Sequence, residues 1–142
     1  MAAPLPRLVG INHVALQVDD VDEAIAFFGS LFDVTRVERE PGGASIEIGD
    51  QFVALFERGV EERHFGLVVD DKEAARERLA ANGVELLPGG RLEFRDPSGN
   101  MIQVVQYDQV RFLKDERVLR ALGLDLGKTR KALDELRDNG VE

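Results

Sequence analysis

The chain has 142 residues, which is enough for one domain with a hydrophobic core. Its formal net charge of −9 argues against a nucleic acid partner, and the absence of cysteine excludes disulfides, thiolate metal ligands and cysteine nucleophiles. No apolar run reaches the roughly 18 residues of a membrane span, and the first residues lack a signal-peptide core, so we expect a cytoplasmic protein without membrane contact.

The first half of the chain predicts a strand, a helix and three more strands. His13 heads the first strand, in Asn-His-Val-Ala-Leu-Gln-Val-Asp-Asp at 12–20. Apolar residues then recur at helical spacing over 21–28, with Asp19 or Asp20 as the N-cap. The three following strands lie near 37–40, 46–48 and 52–55, and turns rich in glycine and proline separate them.

The second half of the chain repeats this pattern. His64 heads Arg-His-Phe-Gly-Leu-Val-Val-Asp-Asp at 63–71, and a helix follows that ends at Asn82-Gly83. Strands are then predicted at 84–87, 92–94 and 102–105. An Asp-Pro-Ser-Gly-Asn turn at 96–100 precedes the last of them. Each half therefore predicts one βαβββ unit, and such a repeat indicates an internal duplication.

The last part of the chain has no counterpart in the repeat. Two short helices are predicted there, one ended by Gly123 and one by Asn139-Gly140. We therefore expect a single domain over 1–107, made of modules at about 8–57 and 63–107, and a helical extension over 108–142.

The duplicated unit, its two strand-heading histidines and the turn at 96–100 resemble the vicinal oxygen chelate superfamily over about residues 8–107. That group includes glyoxalase I, bleomycin-resistance proteins and extradiol dioxygenases. The resemblance implies an α+β fold, with two tandem βαβββ modules that form a curved, cup-like mixed sheet, helices outside it and a C-terminal helical tail. It also implies a homodimer with sites at module interfaces.

The resemblance further implies a metal site whose ligands head the first strand and lie on the last strand of each module. Carried over to this chain, these positions are His13, His64 and Gln103, and the family most often has glutamate at the third of them. The fourth position falls at Val53 by the internal repeat, or at Ala54 after a slip of one residue, and neither side chain can bind a metal. Such donors suit Mn²⁺, Fe²⁺, Co²⁺, Ni²⁺ or Zn²⁺.

This ligand set predicts a divalent-metal-dependent enzyme that activates a small, oxygen-rich, bidentate metabolite by Lewis acidity. The reaction stays open among the lyase or isomerase, transferase and dioxygenase types. Proton transfer would need a carboxylate as base, and Glu47 and Glu57 are the candidates on nearby strands. Arg91 and Arg95 could each receive an anionic substrate, and the pattern favours neither.

The missing carboxylates leave a second function open. A metal-free protein that binds or sequesters a small molecule, similar to bleomycin-resistance proteins, would need no charged ligand. The acidic chain could also serve as a subunit of a larger assembly.

Overall fold

In a computed structural model, which describes residues 4–142, seven strands form one mixed sheet. The strands are β1 (Leu8–Val18), β2 (Val37–Glu40), β3 (Gly43–Ile48), β4 (Gln51–Glu57), β5 (His64–Val69), β6 (Leu92–Arg95) and β7 (Met101–Gln106). The helices are α1 (Val21–Leu31), α2 (Lys72–Ala81), α3 (Glu116–Ala121) and α4 (Arg130–Asp138), with a 3-10 turn at Tyr107–Gln109.

The sheet has the strand order β2-β3-β4-β1-β5-β7-β6, so the two modules lie side by side. Within each module the first strand pairs in parallel with the last, β1 with β4 and β5 with β7. The modules join where β1 pairs antiparallel with β5 of the same chain. This arrangement confirms the predicted α+β fold of two related modules.

Each module begins its helix in the same way. The side chain of Asp20 accepts a hydrogen bond of 2.8 Å from the Glu23 amide at the start of α1. The side chain of Asp71 accepts one of 3.0 Å from the Ala74 amide at the start of α2. The second aspartate of each Asp-Asp pair is therefore an N-cap, which satisfies an amide that has no partner within the helix.

The predicted strand at 84–87 is reduced to a single bridge between Leu86 and Phe94. The Leu87 amide still donates a 2.8 Å hydrogen bond to the Glu93 carbonyl, but the ladder stops there. Pro88 has no amide hydrogen to continue it, and Gly89 adopts φ 125°, outside the range of a strand. This part of the second module is therefore a loop beside β6.

The sheet has two differently covered faces. We call the face that carries His64, Gly66 and Val68 the inner face, since alternate residues of a strand share a face. On the other, outer face, helix α2 packs through Ala75 against a cluster that includes Leu92. Helix α2 therefore covers the outer face and leaves the inner face to other parts of the chain.

The C-terminal extension, residues 107–142, covers one end of the inner face. Tyr107, Phe112 and Leu119 form a buried cluster with Val9 and Val68 of the central strands. A second contact holds the extension in shape, because the Lys128 ammonium donates a 2.7 Å hydrogen bond to the Val110 carbonyl. Burial lowers the pKa of Lys128 to about 8.

Helices in the described part of the chain are too short or too polar to cross a bilayer.

Replacing Phe112 by alanine should destabilise the protein by about 3–5 kcal/mol, because it leaves a cavity between the extension and the central strands. Phe112 is 5% exposed, whereas Phe32 is 65% exposed and serves as the matched control. We expect Phe32→Ala to change stability by less than about 0.5 kcal/mol. Urea unfolding measures the stability of both variants. An equally small loss of stability in Phe112→Ala and Phe32→Ala would contradict the packing of Phe112 described above.

Candidate functional site

The strand register brings the three predicted ligands onto the inner face of adjacent strands. His13 on β1 lies opposite Gly66 on β5, and Gly66 lies opposite Gln103 on β7. His64 shares a face with Gly66 because the two are separated by one residue of β5. His13, His64 and Gln103 therefore line one cavity, built from both modules of a single chain.

The two histidines point at each other. Their Nε2 atoms lie 3.2 Å apart, and both side chains are buried. His13 Nδ1–H donates to Asn12 Oδ1 over 2.8 Å, and His64 Nδ1–H donates to the Glu62 carbonyl over 2.8 Å. Since these oxygens only accept, a neutral ring at either position carries its hydrogen on Nδ1 and a lone pair on Nε2. The two Nε2 atoms are therefore the ring atoms that can bind a cation.

Packing holds the His13 ring in this orientation. The ring stacks on Phe52 with centroids 4.6 Å apart and an angle of 4° between the planes. Below it lies Gly66, where an added Cβ would come within 2.3 Å of His13 Nδ1. Only glycine allows the imidazole to lie this close to β5.

Burial also sets the protonation state of His13. Desolvation lowers the pKa of His13 to about 4, and electrostatic interactions with His64 and Arg91 lower it further, while the Gln103 side chain opposes them. His13 is therefore neutral at pH 7, so its Nε2 lone pair is available to a cation.

The cavity has a volume of about 210 Å³ and contains two charged side chains. The Arg91 guanidinium lies 3.7 Å from the Glu61 carboxylate, and the Arg91 side chain is 56% exposed, so it is accessible to a ligand. Glu40 supplies a carboxylate from the end of β2. The cavity is lined by His13, Glu40, Ala44, Ser45, Phe52, Ala54, Phe56, His64, Arg91 and Gln103.

The structure distinguishes the two arginines that the sequence left equivalent. Arg95 is paired with Glu62, at 2.7 Å between Nη2 and Oε2, and it does not line this cavity. The hydrogen bond with Glu62 raises the pKa of Arg95. Arg91 is therefore the arginine that can meet a ligand.

The counterpart of Gln103 in the first module is Ala54. Ala54 pairs with Ala15 as Gln103 pairs with Gly66, and Ala54 lines the cavity. Val53 points to the outer face, where it lines a depression with Phe28 of α1. The two modules therefore align with a shift of one residue in this hairpin. The fourth ligand position expected from the resemblance is occupied by Ala54, which cannot bind a metal.

The two glutamates named as candidate bases have other partners. Glu57 Oε2 accepts a 3.2 Å hydrogen bond from the Val21 amide at the start of α1. Glu47 lies on β3 opposite Phe52, where its carboxylate binds Arg111 and accepts a 2.7 Å hydrogen bond from Ser45 Oγ. Neither lines the cavity, whereas Glu40 does. The sequence predicts that Glu38 and Glu40 share one face of β2, because alternate residues of a strand do so. Only the strand pairing in the sheet shows that this face is the inner one.

Among residues 4–142, no three histidine, cysteine, aspartate or glutamate side chains converge in a way that could hold a metal ion. A metal at the two histidines would therefore need a different third donor. Gln103 is placed to supply it, since an amide oxygen can bind a divalent cation.

The family model described as the Glyoxalase/Bleomycin resistance protein/Dioxygenase superfamily matches residues 10–104. The chain therefore belongs to this superfamily, as its βαβββ repeat predicted. The matched segment ends within β7, so the C-terminal extension lies beyond it.

The chain is 25% identical over 114 residues to the metallothiol transferase FosB of Shouchella clausii (strain KSM-K16), a match covering 67% of this chain and 78% of that protein. The fold of this chain is similar to that of a variant of methylmalonyl-CoA epimerase from Streptomyces coelicolor. The TM-score is 0.56 and the identity is 19%, and the match covers 73% of this chain and 98% of the epimerase. A catechol 2,3-dioxygenase matches with a TM-score of 0.57 and 15% identity, over 70% of this chain and 40% of the other.

Replacing Gly66 by alanine should displace the His13 ring and destabilise the protein by about 1–3 kcal/mol, because the new methyl group overlaps the imidazole. Gly90→Ala is the matched control, since an added Cβ there meets no atom within 4 Å. Urea unfolding of the two variants provides the measurement. Equal stabilities would show that His13 does not lie against Gly66.

Proposed function

We propose that the protein is a divalent-metal-dependent enzyme that acts on a small, oxygen-rich, anionic substrate, with His13, His64 and Gln103 as metal ligands. The observation that carries this proposal is the 3.2 Å separation of the two histidine Nε2 atoms, in rings whose Nδ1 atoms both face oxygen acceptors. Nitrogens this far apart can both lie at the usual coordination distance of about 2.0–2.1 Å from one ion.

The donor set fits a metal chemically. Two imidazole nitrogens and one amide oxygen are donors that divalent transition metals accept. His13 and His64 have their Nδ1–H groups held by Asn12 and Glu62, which is the common arrangement of metal-binding histidines. A divalent ion bound there supplies Lewis acidity that polarises the substrate's oxygens.

The remaining cavity residues suit a small anion. Arg91 offers a guanidinium that can bind a carboxylate or phosphonate through two hydrogen bonds. Phe52, Ala54 and Phe56 provide apolar walls that exclude water. Glu40 is the carboxylate of the cavity lining, so it is the side chain we assign to accept or return a substrate proton.

The relationship to the FosB protein supports metal dependence, because its name describes a metallothiol transferase. The epimerase and dioxygenase share the fold but at 19% and 15% identity they do not indicate the reaction. We therefore propose the ligands and the anionic substrate class, and leave the reaction type open.

A homodimer is part of this proposal. Apolar side chains of β1 are exposed, with Leu8 at 62%, Ile11 at 47% and Val14 at 43%. Exposed apolar groups clustered on one strand favour contact with another protein surface. Light scattering of the purified protein measures its molar mass, and we expect the mass of two chains.

Metal binding is tested by titrating chelator-treated protein with Mn²⁺, Fe²⁺, Co²⁺, Ni²⁺ and Zn²⁺ in a calorimeter. We expect one ion per chain, loss of binding in His64→Ala, and tighter binding in Gln103→Glu, because a carboxylate adds negative charge at the third donor. Gln109→Ala, an exposed site beyond β7, is the control.

Wild-type protein that binds none of these ions would overturn the metal-dependent function. If His13→Ala and His64→Ala then leave small-molecule binding unchanged, the metal-free alternative is the correct one.

The role of Arg91 is tested with oxalate, a dianion with two oxygen donors, added to Co²⁺-loaded protein. We expect Arg91→Ala to weaken oxalate binding by about tenfold or more, because a charged hydrogen bond contributes roughly 1.5–3 kcal/mol. Arg95→Ala is the matched control and should bind oxalate like the wild type. Equal oxalate affinities in the two variants would exclude Arg91 from anion binding.

A further inference from the structure

One residue of the C-terminal extension reaches towards the site. Arg111 places its guanidinium carbon 5.1 Å from the centroid of the Phe52 ring. The same phenyl ring stacks on the His13 imidazole at 4.6 Å. Arg111 lies beyond residues 10–104, so this contact comes from a part of the chain outside the family match.

The three side chains form a stack with Phe52 in the middle. The His13 ring is almost parallel to Phe52, at 4°, and so covers one face of the phenyl ring. The guanidinium therefore occupies the opposite side, where the negative face of an aromatic ring attracts a cation. Phe52 is confined between the two.

Arg111 is itself fixed on the inner face. It forms an ion pair with Glu47, and the two side chains are only 17% and 5% exposed. Ser45 Oγ donates a further 2.7 Å hydrogen bond to the Glu47 carboxylate. A planar guanidinium bound by a buried carboxylate has little freedom to rotate.

The backbone on both sides of Arg111 is anchored too. The Leu113 amide donates a 3.0 Å hydrogen bond to Asp50 Oδ2, and Lys128 holds the Val110 carbonyl at 2.7 Å. Phe112 lies over Gly10, where an added Cβ would be 2.7 Å from the phenyl ring. The extension therefore presents Arg111 from a rigid support.

We propose that Arg111 is a positioning residue for His13: through Phe52 it holds the imidazole so that its Nε2 faces His64. The metal-binding consequence rests on the proposed function, whereas the orientation of the ring does not. Without the guanidinium, Phe52 can rotate away, and the His13 ring loses the surface against which it stacks. Replacing an outer-shell residue that orients a metal ligand commonly changes the metal affinity by 10–100-fold.

The first test is the Co²⁺ affinity of Arg111→Met, which keeps an unbranched side chain but loses the planar cation. We expect about tenfold weaker binding. Arg111→Lys should recover part of the loss, because the ammonium can still pair with Glu47 but cannot stack as a plane. Arg117→Met is the control, since its side chain is 82% exposed in the same extension.

Arg111→Met also leaves Glu47 buried without its ion-pair partner, which can destabilise the fold. The double variant Glu47→Gln/Arg111→Met removes both charges. We expect it to recover the unfolding midpoint of the wild type while Co²⁺ affinity stays about tenfold weaker. Recovery of the affinity together with the stability would overturn the positioning role.

A second measurement needs no metal. Long-range ¹H–¹⁵N spectra of the metal-free protein report the ring nitrogens of its two histidines separately. In the double variant we expect shifted Nδ1 and Nε2 signals for His13, and smaller changes for His64. Unchanged His13 signals overturn the inference, whereas a wild type that binds no Co²⁺ refutes only the proposed function.

Discussion

The antiparallel pairing of β1 with β5 fixes the arrangement of the two modules and of the cavity between them. It joins the two modules within one chain and sets His13 opposite Gly66, so that both histidines reach the same space. Because alternate residues of a strand share a face, a shift of one residue in this register would turn one histidine to the helices. The site is thus a consequence of strand pairing, and the glycine on β5 leaves room for the imidazole above it.

The proposed metal site has no acidic ligand. The proposed ligands are His13, His64 and Gln103, the position of a fourth ligand is occupied by Ala54, and the charged groups of the cavity are Arg91 and Glu40. A metal held by neutral donors keeps more of its charge for a substrate that brings anionic oxygens. Affinity for the free ion should then be modest, and an anionic substrate that also contacts Arg91 would strengthen it.

The C-terminal extension links this site to a part of the chain outside the duplicated modules. Its buried side chains cover one end of the inner face, and Arg111 contacts the ring that supports His13. The duplicated modules leave the inner face of the sheet open, because their helices α1 and α2 lie on the outer face. An added segment can therefore cover that face and also restrict motion at the site. In this chain the buried ion pair between Arg111 of the extension and Glu47 of β3 provides that restriction.

Much of the fold could be predicted from the sequence, because hydrophobic periodicity, capping aspartates and Gly-Pro turns are local signals that recur in both halves. The two histidines stand out in the same repeat, whereas Gln103 follows from the resemblance to the superfamily, and the structure brings all three into one cavity. Three features could not be predicted from the sequence. They are the choice of Ala54 over Val53 as the counterpart of Gln103, the choice of Arg91 over Arg95 as the arginine of the cavity, and the places of Glu40, Glu47 and Glu57. Each depends on strand register or on contacts between residues far apart in the chain. Most of the elements and their duplication follow from local sequence patterns. Which side chains meet follows from the pairing of strands that are far apart in the chain, and local patterns do not encode that pairing.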